Sequence, residues 1–202
     1  MNVTHHRLTI LLIASVAAAL AAGPMAKPRF DPGTGRMLRP EGYRRWAFLG
    51  ANYGMGYSEG ETLTTQKAKD ATFHNIYAQP AALEHFAKTG QYPEGAMLVM
   101  EVVKSATHAS INKQGAFQAD VMGIEVAVKD SKRFGADKWA YFKFFTSDGK
   151  PLADAKAFPK EACWSCHNEH GAADNTFSQF YPAAREARPE LARALETVKT
   201  AR

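Results

Sequence analysis

The run Cys163-Trp164-Ser165-Cys166-His167 constrains this chain more than any other stretch, and it holds the only two cysteines of the 202 residues. On a helix, residues three and four apart share a face, so Cys163, Cys166 and His167 project together. C-x-x-C-H is the attachment signature of c-type haem. The two thiols add to the haem vinyl groups, and the imidazole falls beneath the iron as proximal ligand. The expectation is one covalent haem c, with Cys163, Cys166 and His167 binding the cofactor and His167 as the metal ligand. Three other readings carry less weight. A disulfide here would close a loop too short to restrain much of the chain. A thioredoxin-type redox pair belongs early in a βαβ unit, whereas this one comes late in a chain without that pattern. A zinc site built from Cys163, Cys166 and His170 needs a fourth ligand, and no second spaced cysteine pair supplies it.

Residues 1–22 read as a signal peptide. His5, His6 and Arg7 precede an apolar run from Leu8 to Ala22 that is short and alanine-rich for a membrane span, and Ala19-Leu20-Ala21 offers a small-x-small cleavage site. An uncleaved anchor is the alternative. Export agrees with the haem motif, because bacterial c-type haem is attached outside the cytoplasmic membrane, so the mature chain is expected in the periplasm and free of the membrane after cleavage. Losing the leader removes Arg7 and no acid, taking the formal charge from +5 to +4. That mild basic excess, without a lysine or arginine block, argues against nucleic acid as a partner and leaves room for an acidic redox partner protein.

After an irregular, Pro- and Gly-rich lead-in over 23–42, the main domain is expected over 43–185, followed by a charged helical tail over 186–202. Tyr43 to Ala51 reads as a helical turn or strand running into a loop that contains Gly54, Gly56 and Gly60. Phe73 to Ala78 alternates as a strand. Pro80 opens a helix through Lys88, with Leu83, Phe86 and Ala87 inward and Gly90 as its C-cap. Ala96 to Val103, Phe117 to Val128 and Lys138 to Thr146 are strands, the first two joined as a long hairpin, and Asp148-Gly149 is a turn. The last third turns helical, with Ala172 to Tyr181 as a helix stopped by Pro182. The expected class is therefore α+β, an antiparallel β-sheet with flanking helices and a C-terminal haem-bearing helix. The small all-helical electron carriers do not fit, since no methionine follows His167. The strands likewise do not fit a four-helix bundle.

The stretch from Cys163 to His170, continued by Asp174-Asn-Thr-Phe-Ser-Gln-Phe-Tyr-Pro182, resembles the C-terminal signature of the cytochrome P-460 family, which includes the cytochromes c′-beta. Tyr43-Arg44-Arg45-Trp46, the run Gly123 to Phe134 and Trp139-Ala140-Tyr141-Phe142 resemble its upstream blocks. The resemblance implies a mainly antiparallel β fold, a homodimer, and one c-type haem whose distal side is open or merely shielded. It implies either binding of nitric oxide or a similar small ligand, or oxidation of hydroxylamine or nitric oxide. In the oxidising branch a strand lysine is cross-linked to the haem edge, and the matching position here is Met100. Lys104 shares its strand face but lies about 13 Å further along. The same comparison puts His74 on the strand lining the distal face.

His74 and Met100 are thus the distal candidates, His74 as a donor to bound ligand and Met100 as a wall; either as a sixth ligand would instead make an electron-transfer cytochrome. Phe48, Phe73, Phe142, Phe144 and Phe145 are candidates for an aromatic distal cap, and Phe177, Phe180 and Tyr181 for packing the proximal helix. Glu101, Asp120 and Asp154 are candidates for proton relay, Glu125 for a structural ion pair, and His170 for a propionate contact or a solvated surface position.

Overall fold

The computed structural model describes residues 23–56 and 71–200. The expected leader (1–22), Gly60, Ala201 and Arg202 lie outside the described residues. Five strands form one antiparallel sheet in chain order: β2 (Ala47–Tyr53), β3 (Thr72–Ala78), β4 (Met97–Ala106), β5 (Phe117–Lys129) and β6 (Trp139–Lys143). β1 (Met37–Leu38) lies within the lead-in and pairs with β7 (Asp154–Ala155) as a separate two-stranded ribbon. Among the described residues, α-helices are α1 (Pro80–Thr89), α2 (Ser131–Phe134), α3 (Trp164–His170), α4 (Pro182–Ala187) and α5 (Glu190–Thr200). Among the described residues no helix is long and apolar enough to cross a membrane. The chain is α+β, as expected.

The elements follow from local chemistry. β4 and β5 carry β-branched and aliphatic residues that suit a pleated surface covered on both sides, and they pair as the expected long hairpin. Tyr43–Arg45 is a 3₁₀ turn that leads directly into β2, so both readings of that stretch hold in succession. α1 starts on Pro80 and ends where Gly90, at φ 76°, donates its N–H to the Phe86 carbonyl. Ala82 and Phe86 form its buried stripe, with Leu83 packed beside them.

Alternation along the strands splits the interior in two. One sheet face, with Ile76, Leu98 and Tyr141, packs against α1, α4, α5 and the segment after α3. The other, with Val99, Ile124, Val126 and Phe142, packs against Met37, Tyr43 and Ala155. Gly50 lets the helical layer close on the sheet: a Cβ there would meet the Pro182 ring at 2.7 Å, and its φ of 148° disfavours any side chain.

The C-terminal third differs from expectation in two places. Ala172 to Tyr181 is not a helix but a loop with a bridge between Ala173 and Thr176, ending in a 3₁₀ turn at Ser178–Phe180. Asp174 and Asn175 take positive φ there, which interrupts any helical run. Pro182 does not stop a helix; it occupies the first turn of α4, where a missing N–H costs nothing. The boundary expected after residue 185 falls inside α4, and Leu191 of the tail, at 4% exposure, belongs to the first core.

Phe86 is fully buried and stacked on Tyr92 with ring centroids 4.4 Å apart. Phe86→Ala should cost about 3–5 kcal/mol in urea denaturation, whereas Phe48→Ala should cost about 0.5 kcal/mol or less. Phe48 remains 51% exposed.

Candidate haem site

Cys163 is the N-cap of α3, so Cys166 and His167 follow it within the first turn and all three side chains gather on one side of a short helix. Both thiols are free. Trp164 points away and pins the helix: its indole N–H donates to the Asp137 carbonyl at 2.8 Å, and the Lys160 ammonium sits 4.0 Å over its ring.

The His167 ring lies between Tyr141 and Phe177, with centroids 4.4 and 4.3 Å away. Its Nδ1 is 2.9 Å from the Asn175 carbonyl oxygen. A carbonyl only accepts, so Nδ1 carries the proton and Nε2 keeps its lone pair. Burial pushes the imidazolium pKa down, partly opposed by the bond to Asn175. The result is a neutral imidazole in the tautomer that ligates a metal through Nε2.

Cys163, Cys166 and His167 border a cavity of about 400 Å³. Its sheet wall is set by register: Ile76, Met100 and Glu125 stand opposite one another across β3, β4 and β5, and Leu98, Ala127 and Tyr141 across β4, β5 and β6. Phe177 and Tyr181 close the helical side. Two thiols, a tautomer-fixed imidazole and a largely apolar wall fit a porphyrin joined through sulfur with an axial histidine. Burial, with Glu125 and Cys166 nearby, pushes the Cys163 thiol up, so it is a neutral thiol rather than a free thiolate. Among the described residues no three His, Cys, Asp or Glu side chains are grouped to hold a metal ion.

Of the distal candidates, Met100 lines the cavity. His74 lines an adjoining recess of about 520 Å³ that shares Met100 and Glu125 with the first and adds Lys143. Its Nε2 is 3.2 Å from Thr72 Oγ1, and burial pushes its pKa down. The proposed aromatic cap is not there. Phe142 and Phe144 belong to the opposite core, Phe145 packs against it, Phe48 is exposed and Phe73 stacks on Tyr53. The reason is strand parity: with Tyr141 facing the cavity, Phe142 must face away.

The relay acids also lie elsewhere. Glu101 is buried on the far face, accepting from Tyr43 Oη at 2.6 Å and Arg44 Nε at 2.8 Å. Asp120 is exposed, and Asp154 pairs with Arg36. Lys104 is exposed, and so is His170, whose ring is 3.8 Å from Glu169.

Sequence reasoning overlooked Glu125 and Tyr141 as lining residues. Glu125 does have the expected ion-pair partner, with Lys143 Nζ 3.9 Å away. It also faces the cavity, and burial pushes its carboxyl up, with Lys143 opposing. A lone acid in the apolar run Ile124 to Val128 was the signal, but only pairing with Met100 shows which side it faces.

The family model described as Cytochrome P460 matches residues 40–178, which span the whole five-stranded sheet, both thiols, His167 and Asn175. Comparison with curated proteins finds no match.

Gly171, directly after α3, is pressed into the fold: a Cβ there would lie 2.4 Å from the His167 carbonyl and 2.9 Å from Thr176 N. Both are backbone atoms, so Gly171→Ala must displace the loop that carries Asn175. Thermal denaturation of Gly171→Ala should show a loss of about 1–3 kcal/mol, with lowered yield of haem-loaded protein.

Proposed function

The chain belongs to the cytochrome P460 family and is a haem cytochrome, and from that premise we propose that it is a periplasmic monohaem c-type cytochrome that binds a small ligand such as nitric oxide. Cys163 and Cys166 would hold the porphyrin covalently, and His167 Nε2 would hold the iron. When bound, the haem would supply an iron able to take a small diatomic ligand. The observation that carries this reading is His167 itself: a half-buried, neutral ring whose Nδ1 is committed to a carbonyl, on the wall of a cavity that both thiols share. Met100 and Leu98 on the sheet wall are apolar and would shield the site. A thioether also has no amine to bond to a macrocycle edge, which favours ligand binding over cross-linked oxidative chemistry. The homodimer implied by the family resemblance and the redox partner protein for which the mild basic charge leaves room belong to this reading as well.

A second reading, oxidation of hydroxylamine or nitric oxide, is favoured by Glu125. Burial raises the pKa of its carboxyl, with Lys143 opposing, and the group faces the cavity, where it can exchange a proton with a bound substrate. An electron-transfer centre closed by His74 is less favoured, because His74 lines the adjoining recess and engages Thr72.

Protein matured in a bacterium competent for c-type haem should carry the mass of one haem, lost in the Cys163→Ala/Cys166→Ala double variant. Its reduced form should show high-spin optical bands that change on titration with nitric oxide; sharp low-spin bands that nitric oxide leaves in place would overturn the binding reading. A pH profile tests Glu125. Its carboxyl is neutral below its raised pKa and charged above it, and the charge repels an anion in the cavity. Fluoride affinity of the oxidised protein should therefore fall as pH rises through a step above the ordinary carboxylate range, and Glu125→Gln should remove that step.

A further inference from the structure

We propose that the buried Lys129–Asp174 ion pair is a positioning device for the axial histidine, holding the Asn175 carbonyl against His167 Nδ1 and so setting how strongly that imidazole donates to iron. The inference rests on the haem reading above and extends it to residues outside the cavity.

Gln179 ties the ends of the loop after α3, accepting from the Ala172 N–H at 3.1 Å and donating to the His170 carbonyl at 2.9 Å. The loop lies outside the sheet, and the helix it follows has seven residues. It carries two consecutive non-glycine residues at positive φ, Asp174 at 48° and Asn175 at 54°. Such a pair persists only where surrounding contacts over-determine it. The Asn175 side-chain nitrogen does not help, since Nδ2 is buried with no hydrogen-bond partner among the described residues. The anchor is the neighbouring carboxylate.

Asp174 receives Lys129 Nζ at 3.0 and 2.8 Å, the Tyr92 backbone N–H at 2.7 Å and the Trp139 indole N–H at 3.2 Å. Lys129 also donates to the Tyr92 carbonyl at 2.8 Å. The two charged side chains are 5% and 9% exposed, so neither is screened by water and each depends on the other. Lys129 ends β5 and stands opposite Trp139 of β6. The pair therefore bolts the loop to the β5–β6 ladder, one residue from the carbonyl that matters.

That carbonyl serves two donors. It accepts from His167 Nδ1 at 2.9 Å and from Tyr141 Oη at 3.0 Å. A carbonyl held close to Nδ1–H makes Nε2 a stronger donor, which favours oxidised iron. Each proton donated by Tyr141 draws acceptor strength away from His167. Lys129 and Asp174 fix the position of the acceptor, and Tyr141 tunes its strength.

The test uses haem-loaded full-length protein and two readouts that a merely structural role would leave in place: the iron–histidine stretching band of the reduced form and the reduction potential. Asp174→Asn strands the Lys129 charge, so its companion is the neutral double variant Lys129→Met/Asp174→Asn, which keeps amide partners for Tyr92 and avoids an unpaired buried charge. The double variant should lower the stretching frequency and raise the potential. Tyr141→Phe, which deletes one oxygen, should move both in the opposite direction. If both variants carry covalent haem and keep the wild-type band and potential, the positioning role is overturned even if stability falls. If the wild-type protein carries no covalent haem, the haem reading itself is overturned, and this inference with it.

Discussion

Cross-strand register in β4 and β5 is the constraint on which the site depends. Leu98 and Met100 face the cavity because Val99 and Glu101 face away, and pairing of Met100 with Glu125 carries the same assignment to the next strand. A slip of one residue would exchange every cavity residue for its neighbour. It would bring Glu101 out of its bonds with Tyr43 and Arg44 and push Val126 toward the thiols. Both faces are buried and chemically distinct, so each enforces the register of the other. An apolar cavity wall and a satisfied acid on the far face are two consequences of one pairing.

The helical side depends on close approach. α3 is too short to hold its ring in place by itself. Its orientation comes from Trp164 on the Asp137 carbonyl, from the rings of Tyr141 and Phe177, and from the Asn175 carbonyl. Glycine makes this geometry sterically feasible twice: Gly171 where the loop folds back on the helix end, and Gly50 where α4 meets β2. In both places a methyl group would collide with a neighbour, so the distance between the two halves of the site is set where side chains are missing.

The chemistry of the cavity follows from a neighbouring pair. Met100 and Glu125 are directly opposite in the ladder, one apolar and without a reactive amine, the other ionisable and held toward its neutral form by burial. Together they describe a shielded pocket with one group able to exchange a proton, beside a recess where Lys143 and His74 stand. Which of the two dominates function depends on the ligand that enters, since a neutral diatomic meets mainly the apolar wall and a protic one meets the acid.

Much of this was legible without coordinates. The spacing of Cys163, Cys166 and His167 specifies a helix face on which two thiols and an imidazole gather, because that is a local relation that three or four residues can state. Alternation marked the strands, and Pro80 and Gly90 marked α1. What stayed hidden was every assignment that needs a partner distant in sequence. Phe142 and Phe144 were candidates for the cavity until register turned them away, while Glu125 and Tyr141 were turned toward it. The stretch from Ala172 to Tyr181, expected as a helix, contains the poor helix formers Asp174, Asn175, Thr176 and Ser178, and the bonds of Asp174 with Lys129, Tyr92 and Trp139 hold it as a loop. The sequence by itself determined the haem family and the local spacing that puts two thiols and an imidazole on one short helix. Tertiary structure decided what surrounds them, since strand pairing and buried charge are settled only when remote segments meet.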